Sequence, residues 1–386
     1  MRFQTKAAIA ALCLGFGVTG LGITGLAGIA QAQTYKIGSS LGLTGYAATN
    51  DRAWRDGLQL AVEAVNAKGG ILGKKVELFV EDNRSEPQEA VVGYRKMMSN
   101  DGVQIFDSGC VSAGNFAAAG AVVRASIPMV LCSILPGRPE EQKWAFSMLP
   151  PPRFEIESRY RYLKEKTDVR KIGIVHDPSP YAMMMKDLAT KLAADFGLEV
   201  VATESYKQDD SDLSVQVGRV NAAGGGAIVK MGLGGSTVTI AKNIKQLGLD
   251  KMLLMASLDD GSVYRQGGEV LGDRFLFVAL GVQIPESIPA GPARDAAQAF
   301  LKVWNEKYPG RDPSAGGRAW DSMSVIVKAA ETGKSLEGPA MRDALEKVNG
   351  FQGAITVYNF SDTQHVGITA NPFTIGVSRD GKLAVK

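Results

Sequence analysis

The sequence predicts an α/β protein made of two doubly wound, parallel-sheet lobes. Three observations lead there. Short apolar runs of strand length alternate with stretches whose apolar residues recur at helical spacing, the pattern of βαβ units and of sheets covered on both faces. Two proline-rich segments, Pro150-Pro151-Pro152 and 283–292, break that alternation. The 386-residue chain also exceeds what one core fills, so two domains are the natural division.

The elements follow in order. Residues 1–32 are read as an export address outside both lobes. Arg2 and Lys6 give a short positive start, no charge occurs from Ala7 to Ala30, and Ala30-Gln31-Ala32 is a small-x-small cleavage pattern. The mature chain is therefore expected to begin at Gln33, in the periplasm. Cys13 follows Leu12 and not a small residue, which argues against a lipid-anchored start. No later segment has the roughly 18 uninterrupted apolar residues of a membrane span. Tyr35 to Ser40 reads as the first strand, and Arg52 to Asn66 as a helix with Trp54, Leu58, Ala61, Val62 and Val65 on one face. Lys68-Gly69-Gly70 stops that helix, and Lys75 to Glu81 alternates as a strand. Further strands are expected at Val103 to Phe106, Pro128 to Leu131, Lys171 to His176, Glu199 to Thr203, Ala227 to Met231 and Met252 to Met255, with helices at Asn115 to Arg124 and Met183 to Phe196. Three consecutive prolines lack ladder donors and hold the chain extended, so 150–152 is read as a crossing between lobes. Beyond the second break, helices are expected at Ala293 to Lys307, Asp321 to Thr332 and Gly338 to Val348. Short strands at Ile355 to Phe360 and Phe373 to Val377 close the chain.

Composition and motifs exclude several function classes. With Arg2 and Lys6 removed in the leader, 43 basic residues against 40 acidic ones become near neutrality, which builds no broad positive field for nucleic acid or an anionic membrane. Only two histidines occur. His176, in His176-Asp177-Pro178, is read as a structural histidine bonding its turn, because no second histidine or cysteine stands at ligand spacing. No metal and no cofactor are expected. Gly232-Leu233-Gly234-Gly235-Ser236 has the wrong order for a nucleophile elbow and lacks the lysine of a phosphate cradle, and Glu140 and Glu141 are neighbours that a helix points apart. An enzyme is therefore not expected. Cys110 and Cys132 remain after cleavage, and the sequence does not decide whether they pair.

Several segments, taken in order, carry a resemblance. They are Ile37-Gly38 through Leu43-Thr44-Gly45, Gly57 and Ala61, Val65 to Gly73, Val80-Glu81-Asp82-Asn83 with Pro87, Asp321, and Met341 to Val348 with Phe351-Gln352-Gly353. In this order the chain resembles the exported substrate-binding proteins of ABC transporters in the leucine/isoleucine/valine-binding family. The resemblance spans essentially the whole mature chain and implies the type I periplasmic binding protein fold, with lobes joined by a multi-strand hinge. The lobes are expected at 33–150 with 284–354, and at 151–283 with 355–386.

What the resemblance implies for the site is carried over by position. Ser112, in Ser112-Ala113, matches a serine whose hydroxyl and backbone meet a ligand carboxylate, although a serine there also suits a helix N-cap. Ser133 and Leu135 match the next strand end, where a hydroxyl and backbone groups share that task. Tyr181 matches the aromatic of the second lobe that covers the ligand. Neutral donors converging on a carboxylate make charge-assisted hydrogen bonds, which suits the role.

The chain also departs from the family. Leu258 stands nearest the position where amino-acid binders place the acid that pairs a ligand ammonium, with Asp259 one step later, and Leu233 stands where a tyrosine is common. Asn50 occupies a position where an aromatic can flank the ligand, with Tyr46 nearby, and Met183-Met184-Met185 follow Ala182 in place of a glycine. An ammonium buried without a partner costs several kcal/mol. The expected ligand is therefore a small amphipathic carboxylate: an aromatic or apolar acid, or a branched-chain or aromatic amino acid if Asp259 supplies the missing charge. The expected partner is an ABC transporter permease, and the protein is expected to be a monomer; the alternatives are a ligand sensor of the same fold feeding a receptor and, behind it, an enzyme.

Overall fold

The computed structural model describes residues 34–135, 139–207, 210–232, 236–256 and 261–386. The expected leader, 1–32, lies outside them. The chain begins with β1 (Tyr35–Leu41), α1 (Ala48–Ala67), β2 (Val76–Asp82), α2 (Pro87–Lys96), β3 (Ile105–Ser108), α3 (Ser112–Arg124), β4 (Met129–Leu131), α4 (Pro139–Gln142) and β5 (Ala145–Ser147). These strands form a parallel sheet in the order β2-β1-β3-β4-β5, with Tyr35 opposite Val76 and Ile37 opposite Ile105. Next come α5 (Pro152–Lys166), β6 (Lys171–His176), α6 (Pro180–Leu192), β7 (Glu199–Ser205), α7 (Ser214–Ala222), β8 (Ala227–Met231), α8 (Ser236–Gln246), β9 (Met252–Met255), α9 (Gly261–Leu271) and β10 (Phe275–Leu280). The remainder is α10 (Pro292–Lys307), α11 (Ser314–Gly333), α12 (Gly338–Leu345), the short pair β11 (Phe351–Gln352) and β12 (Val357–Tyr358), and the hairpin β13 (Phe373–Arg379) and β14 (Lys382–Val385). The second sheet runs β14-β13-β10-β9-β8-β6-β7, parallel except for β13 and β14.

The strands read as apolar runs because helices cover both sheet faces. In β6 the period of two is visible: Ile172 and Ile174 pack into one core with Ile156 and Tyr160 of α5, while Val175 enters the core on the opposite face with Val217 and Ile240. The first lobe closes α1 and α11 over its sheet through Trp54, Leu58, Ala319, Met323 and Ile326. Its core also takes Tyr358, Phe360 and Ile368, so the last crossing into the second sheet comes after Ile368, later than the boundary expected at 354 and 355. Pro152 sits at the start of α5, where a missing N–H costs nothing.

Three local readings need correction. Helix α11 begins at Ser314, seven residues before Asp321. Gly316 and Gly317 weaken its intrinsic helicity, but packing against α1 overrides propensity, and Asp312 Oδ1 accepts the Ser314 N–H at 2.8 Å. The strand expected over Ile355 to Phe360 shrinks to Val357–Tyr358, because the N–H groups of Ala354 and Ile355 donate to the Asp321 carboxylate and bend the chain there. Strands β5, β10, β11 and β14 match none of the strands expected from the sequence. Among the described residues no helix is long and apolar enough to cross a membrane.

Candidate functional site

Each lobe repeats one arrangement: its first strand lies between its second and third, as β2-β1-β3 and as β7-β6-β8. Connections therefore leave the first strand toward opposite faces and open a crevice at the carboxyl ends, where α/β sheets bind ligands.

In the first lobe Asp51 of α1 spans this crevice. Its Oδ2 accepts the N–H of Gly42 after β1, and its Oδ1 the N–H of Cys110 after β3, both at 2.7 Å. Burial pushes its carboxyl up to about 6, against the pull of those two donors and of the Arg318 charge. Beneath it the Ser40 N–H donates to Ser108 Oγ at 3.1 Å, and Asn83 Nδ2 to Ser40 Oγ at 3.0 Å.

The ends of β3 and β4 are tied by a Cys110–Cys132 disulfide, with the Cα atoms 4.6 Å apart. This bond brings two expected site residues onto neighbouring loops. Ser112 is half-buried and is the first helical residue of α3; the capping position belongs to Val111, so Ser112 is not the N-cap. Ser133 is buried, and its Oγ accepts Asn115 Nδ2 at 2.8 Å. The second N–H of that amide donates to the Gly109 carbonyl, and Tyr94 holds its oxygen from behind at 2.8 Å. Leu135 points the other way. Its side chain packs in the core with Met129 and Leu131, and its carbonyl accepts Gln142 Nε2. Asn50 is half-buried in the first turn of α1, and Tyr46 stands 59 % exposed on the loop after β1.

In the second lobe Ser179 caps α6, and Tyr181 follows half-buried in the first turn, packed beside the core of that lobe. His176 Nδ1 meets the Asp177 carbonyl at 2.9 Å, the turn contact expected of it. Gly232 follows β8 at φ +102°, and a Cβ there would fall 1.8 Å from Asp177 Oδ2, so both the backbone conformation and the approach require glycine. Tyr264 of α9 is buried, stacked on Phe277 at 4.1 Å, and donates to the Ala256 carbonyl at the end of β9. Leu233 and Asp259, named from the sequence, and Leu258 beside them, lie outside the described residues.

Between the lobes runs the segment before α11. Asp312 Oδ2 accepts the Gly261 N–H of α9 at 2.9 Å and Gln283 Nε2 at 2.8 Å. A hollow of about 250 Å³ opens beside it, lined by Thr49, Arg52 and Ala53 of α1 and by Ser262 and Arg265 of α9. Six residues after Asp312 comes Arg318, fully buried, with none of its three guanidinium nitrogens hydrogen-bonded among the described residues. Sequence reasoning missed Asp51 and Arg318. The available signal was a cation at an inward position of a helical stripe, Ala315-Arg318-Ala319-Ser322-Ile326, hidden by starting that helix at Asp321. Two further aspartates lie deeper. Burial pushes Asp107, which receives Ser322 Oγ and Trp54 Nε1, up to about 7, and likewise Asp321, which receives Ala354, Ile355 and Tyr358. Among the described residues no group of three or more His, Cys, Asp and Glu could hold a metal ion.

A family model described as periplasmic binding protein matches residues 34–381. The chain is 23% identical over 350 residues to the leucine-, isoleucine-, valine-, threonine- and alanine-binding protein of Pseudomonas aeruginosa, covering 86% of this chain and 87% of that one. It is 25% identical over 354 residues to Leu/Ile/Val-binding protein homolog 3 of Brucella melitensis, covering 90% and 92%. In fold it superposes with TM-score 0.78 on a branched-chain amino acid transporter substrate binding protein of Streptococcus pneumoniae solved with isoleucine, at 24% identity over 91% of this chain and 98% of the other. An extracellular ligand-binding receptor from Rhodopseudomonas palustris gives TM-score 0.79 at 19% identity, over 92% of this chain and all of the other.

Proposed function

Because this chain belongs to the periplasmic binding protein family, we propose that it is the exported solute-binding component of an ABC importer, capturing a small amphipathic carboxylate between its lobes and delivering it to a membrane permease. One observation supports this reading: each lobe has a strand-end crevice, the first edged by buried Asp51 and Ser133, the second by half-buried Tyr181 and buried Tyr264. Ligand enters the open form on one lobe. Contacts available only after hinge closure then hold the closed form, a population shift that presents one shape to the permease. Ser112 and Ser133 are assigned to the ligand's polar head and Tyr181 to covering it. The disulfide and Asn115 keep the loops of the first lobe preorganised. Names of relatives favour small and branched amino acids, threonine among them, and Leu258 in the chain favours acids without an ammonium.

A thermal-shift screen tests this reading with branched-chain and aromatic amino acids, benzoate, trans-cinnamate and short aliphatic acids. A ligand at about 100 times its Kd adds about 2.7 kcal/mol. For about 350 residues this is a rise of roughly 4 °C. A rise with an acid that lacks an amino group identifies an acid binder. A rise with amino acids alone returns the charge pairing to Asp259. A flat response across the panel, or turnover of any of these compounds, defeats the proposal.

A further inference from the structure

Buried arginines are tolerated when their five N–H donors find acceptors, because the guanidinium does not discharge at any accessible pH. Arg159 meets most of this demand within the same chain: it is fully buried and its Nε lacks a partner, yet Nη1 donates to the Lys230 carbonyl at 2.9 Å and Nη2 to Glu155 at 3.2 Å. Arg318 is equally buried, and Nε, Nη1 and Nη2 all lack a hydrogen-bond partner among the described residues.

Arg318 stands on α11 just after two links, Asp312 accepting the Gly261 N–H of the second lobe and Gly316 packed against Gly57 of α1 in the first. The ionisable groups whose fields couple to it come from both lobes: Tyr358 and Asp51 from the first, Asp312 from the segment between them, and Tyr264 and Tyr181 from the second. Asp51, Asp312, Tyr264 and Tyr358 each have other hydrogen bonds. Asp51 holds the N–H groups of Gly42 and Cys110. Asp312 takes Gly261, Gln283 and Ser314. The Tyr264 hydroxyl donates to Ala256, and that of Tyr358 to Asp321. Asp51 reaches the loops after β1 and β3, and the close packing of Gly57 on Gly316 joins its helix to the one that carries Arg318; the Arg318 charge is felt at the Asp51 carboxyl across that contact.

We propose that Arg318 is the anion receiver of the interlobe site, its planar fork taking both oxygens of a monocarboxylate whose apolar body lies toward Tyr181. This deepens the solute-binding reading above and rests on it. A fork of parallel N–H donors matches carboxylate geometry, and the lone pairs it leaves remain open to the hydroxyls of Ser112 and Ser133. Asp51 disfavours a second negative charge on the ligand, so dicarboxylates are excluded.

Thermal shift and calorimetry on the purified protein test it with acetate, benzoate and trans-cinnamate, each against its amide. The acids are expected to raise the melting temperature and the amides to leave it unchanged. Arg318→Met should raise the Kd of the acids at least 100-fold, and Arg318→Lys, which keeps charge without the fork, should recover part of the binding. Unliganded Arg318→Met should melt at or above the wild type, since a charge without a partner has gone. If the wild type binds the acids and Arg318→Met binds them equally, Arg318 is not the receiver, and the solute-binding reading survives. If neither these acids nor amino acids shift the wild type, the solute-binding reading fails. Melting of the unliganded variant then still decides about Arg318: a fall of several degrees assigns it a structural role and overturns the proposal.

Discussion

Replacing Gly57 by alanine tests whether the close crossing of α1 and α11 sets the site. A Cβ at 57 would lie 2.1 Å from the Gly316 carbonyl oxygen and 2.5 Å from its Cα, whereas real Cβ contacts stay beyond 3.0 Å. Both obstacles are backbone, so no rotamer relieves them and the helices must part locally by about 1 Å. Overpacking of this kind costs about 1–3 kcal/mol, and rigid backbone on both sides places Gly57→Ala near the upper end. Alanine returns about 1 kcal/mol of helix propensity. The net loss is about 2 kcal/mol, or roughly 3 °C for about 350 residues. Gly218→Ala in α7 is the control, because nothing lies within 4 Å of its added Cβ; there the propensity gain stands alone and melting should rise by about 1 °C. Since Gly316 is two residues from Arg318, Gly57→Ala should also reduce the stabilisation given by a bound acid. Thermal unfolding with and without benzoate reads both effects. A Gly57→Ala protein melting at or above the wild type would refute the argument from close approach.

Three further outcomes are expected. Opening the Cys110–Cys132 link, across a sequence separation of 22, should cost about 3 kcal/mol by loop entropy; the double alanine variant should melt roughly 4 °C lower, and a change under 1 °C would contradict a closed bridge. Asp107 and Asp321 bind a proton more tightly folded than unfolded, their carboxyls standing at about 7 against an ordinary 3.8, so their contribution is complete below 3.8 and lost as pH rises through 7. Melting should therefore fall from pH 5 to pH 8, and Asp107→Asn, whose amide can still donate toward Ser322 and accept from Trp54, should flatten that slope; an unchanged slope would remove Asp107 from the account. Tyr181→Ala should raise the Kd of bound acid by about tenfold or more while the unliganded melting temperature holds within a few degrees, and calorimetry showing unchanged affinity would take Tyr181 out of the site.

The fold was legible because burial on both sheet faces writes apolar runs into the strands and stripes into the helices. Lys171 to His176, Ala227 to Met231 and Met252 to Met255 agree residue for residue with their observed strands. The proposed site was legible only in part. Ser112 and Ser133 could be set on neighbouring loops because they follow strand ends. The direction of the Leu135 side chain was not legible, since only tertiary packing decides that it enters the core with Met129. Arg318 escaped for a related reason: the glycines before it read as a weak helix start, and no local pattern reveals that a cation inside a stripe lacks an acceptor. Asp51 sits among ordinary first-turn helix residues, and its role appears only when β1 and β3 bring Gly42 and Cys110 to either side of it.

If Arg318 receives the ligand, the same charge also governs the hinge. Closing the lobes around a guanidinium without acceptors opposes closure by several kcal/mol, because water that solvates it in an open form is expelled. Shifting a two-state equilibrium from 1:99 to 99:1 requires about 5.5 kcal/mol of differential binding. A carboxylate that supplies the missing acceptors removes a penalty of that order and adds charge-assisted bonds, so one residue can provide much of the coupling between occupancy and closure. Asp51 works in the same direction, since its own donors hold it in place and leave it only a partial electrostatic counterweight to Arg318. On this argument Arg318→Met should close without ligand and appear more compact than the unliganded wild type in small-angle scattering. Unliganded profiles that coincide for the two proteins, each differing from the wild type with acid bound, would separate the hinge equilibrium from this charge.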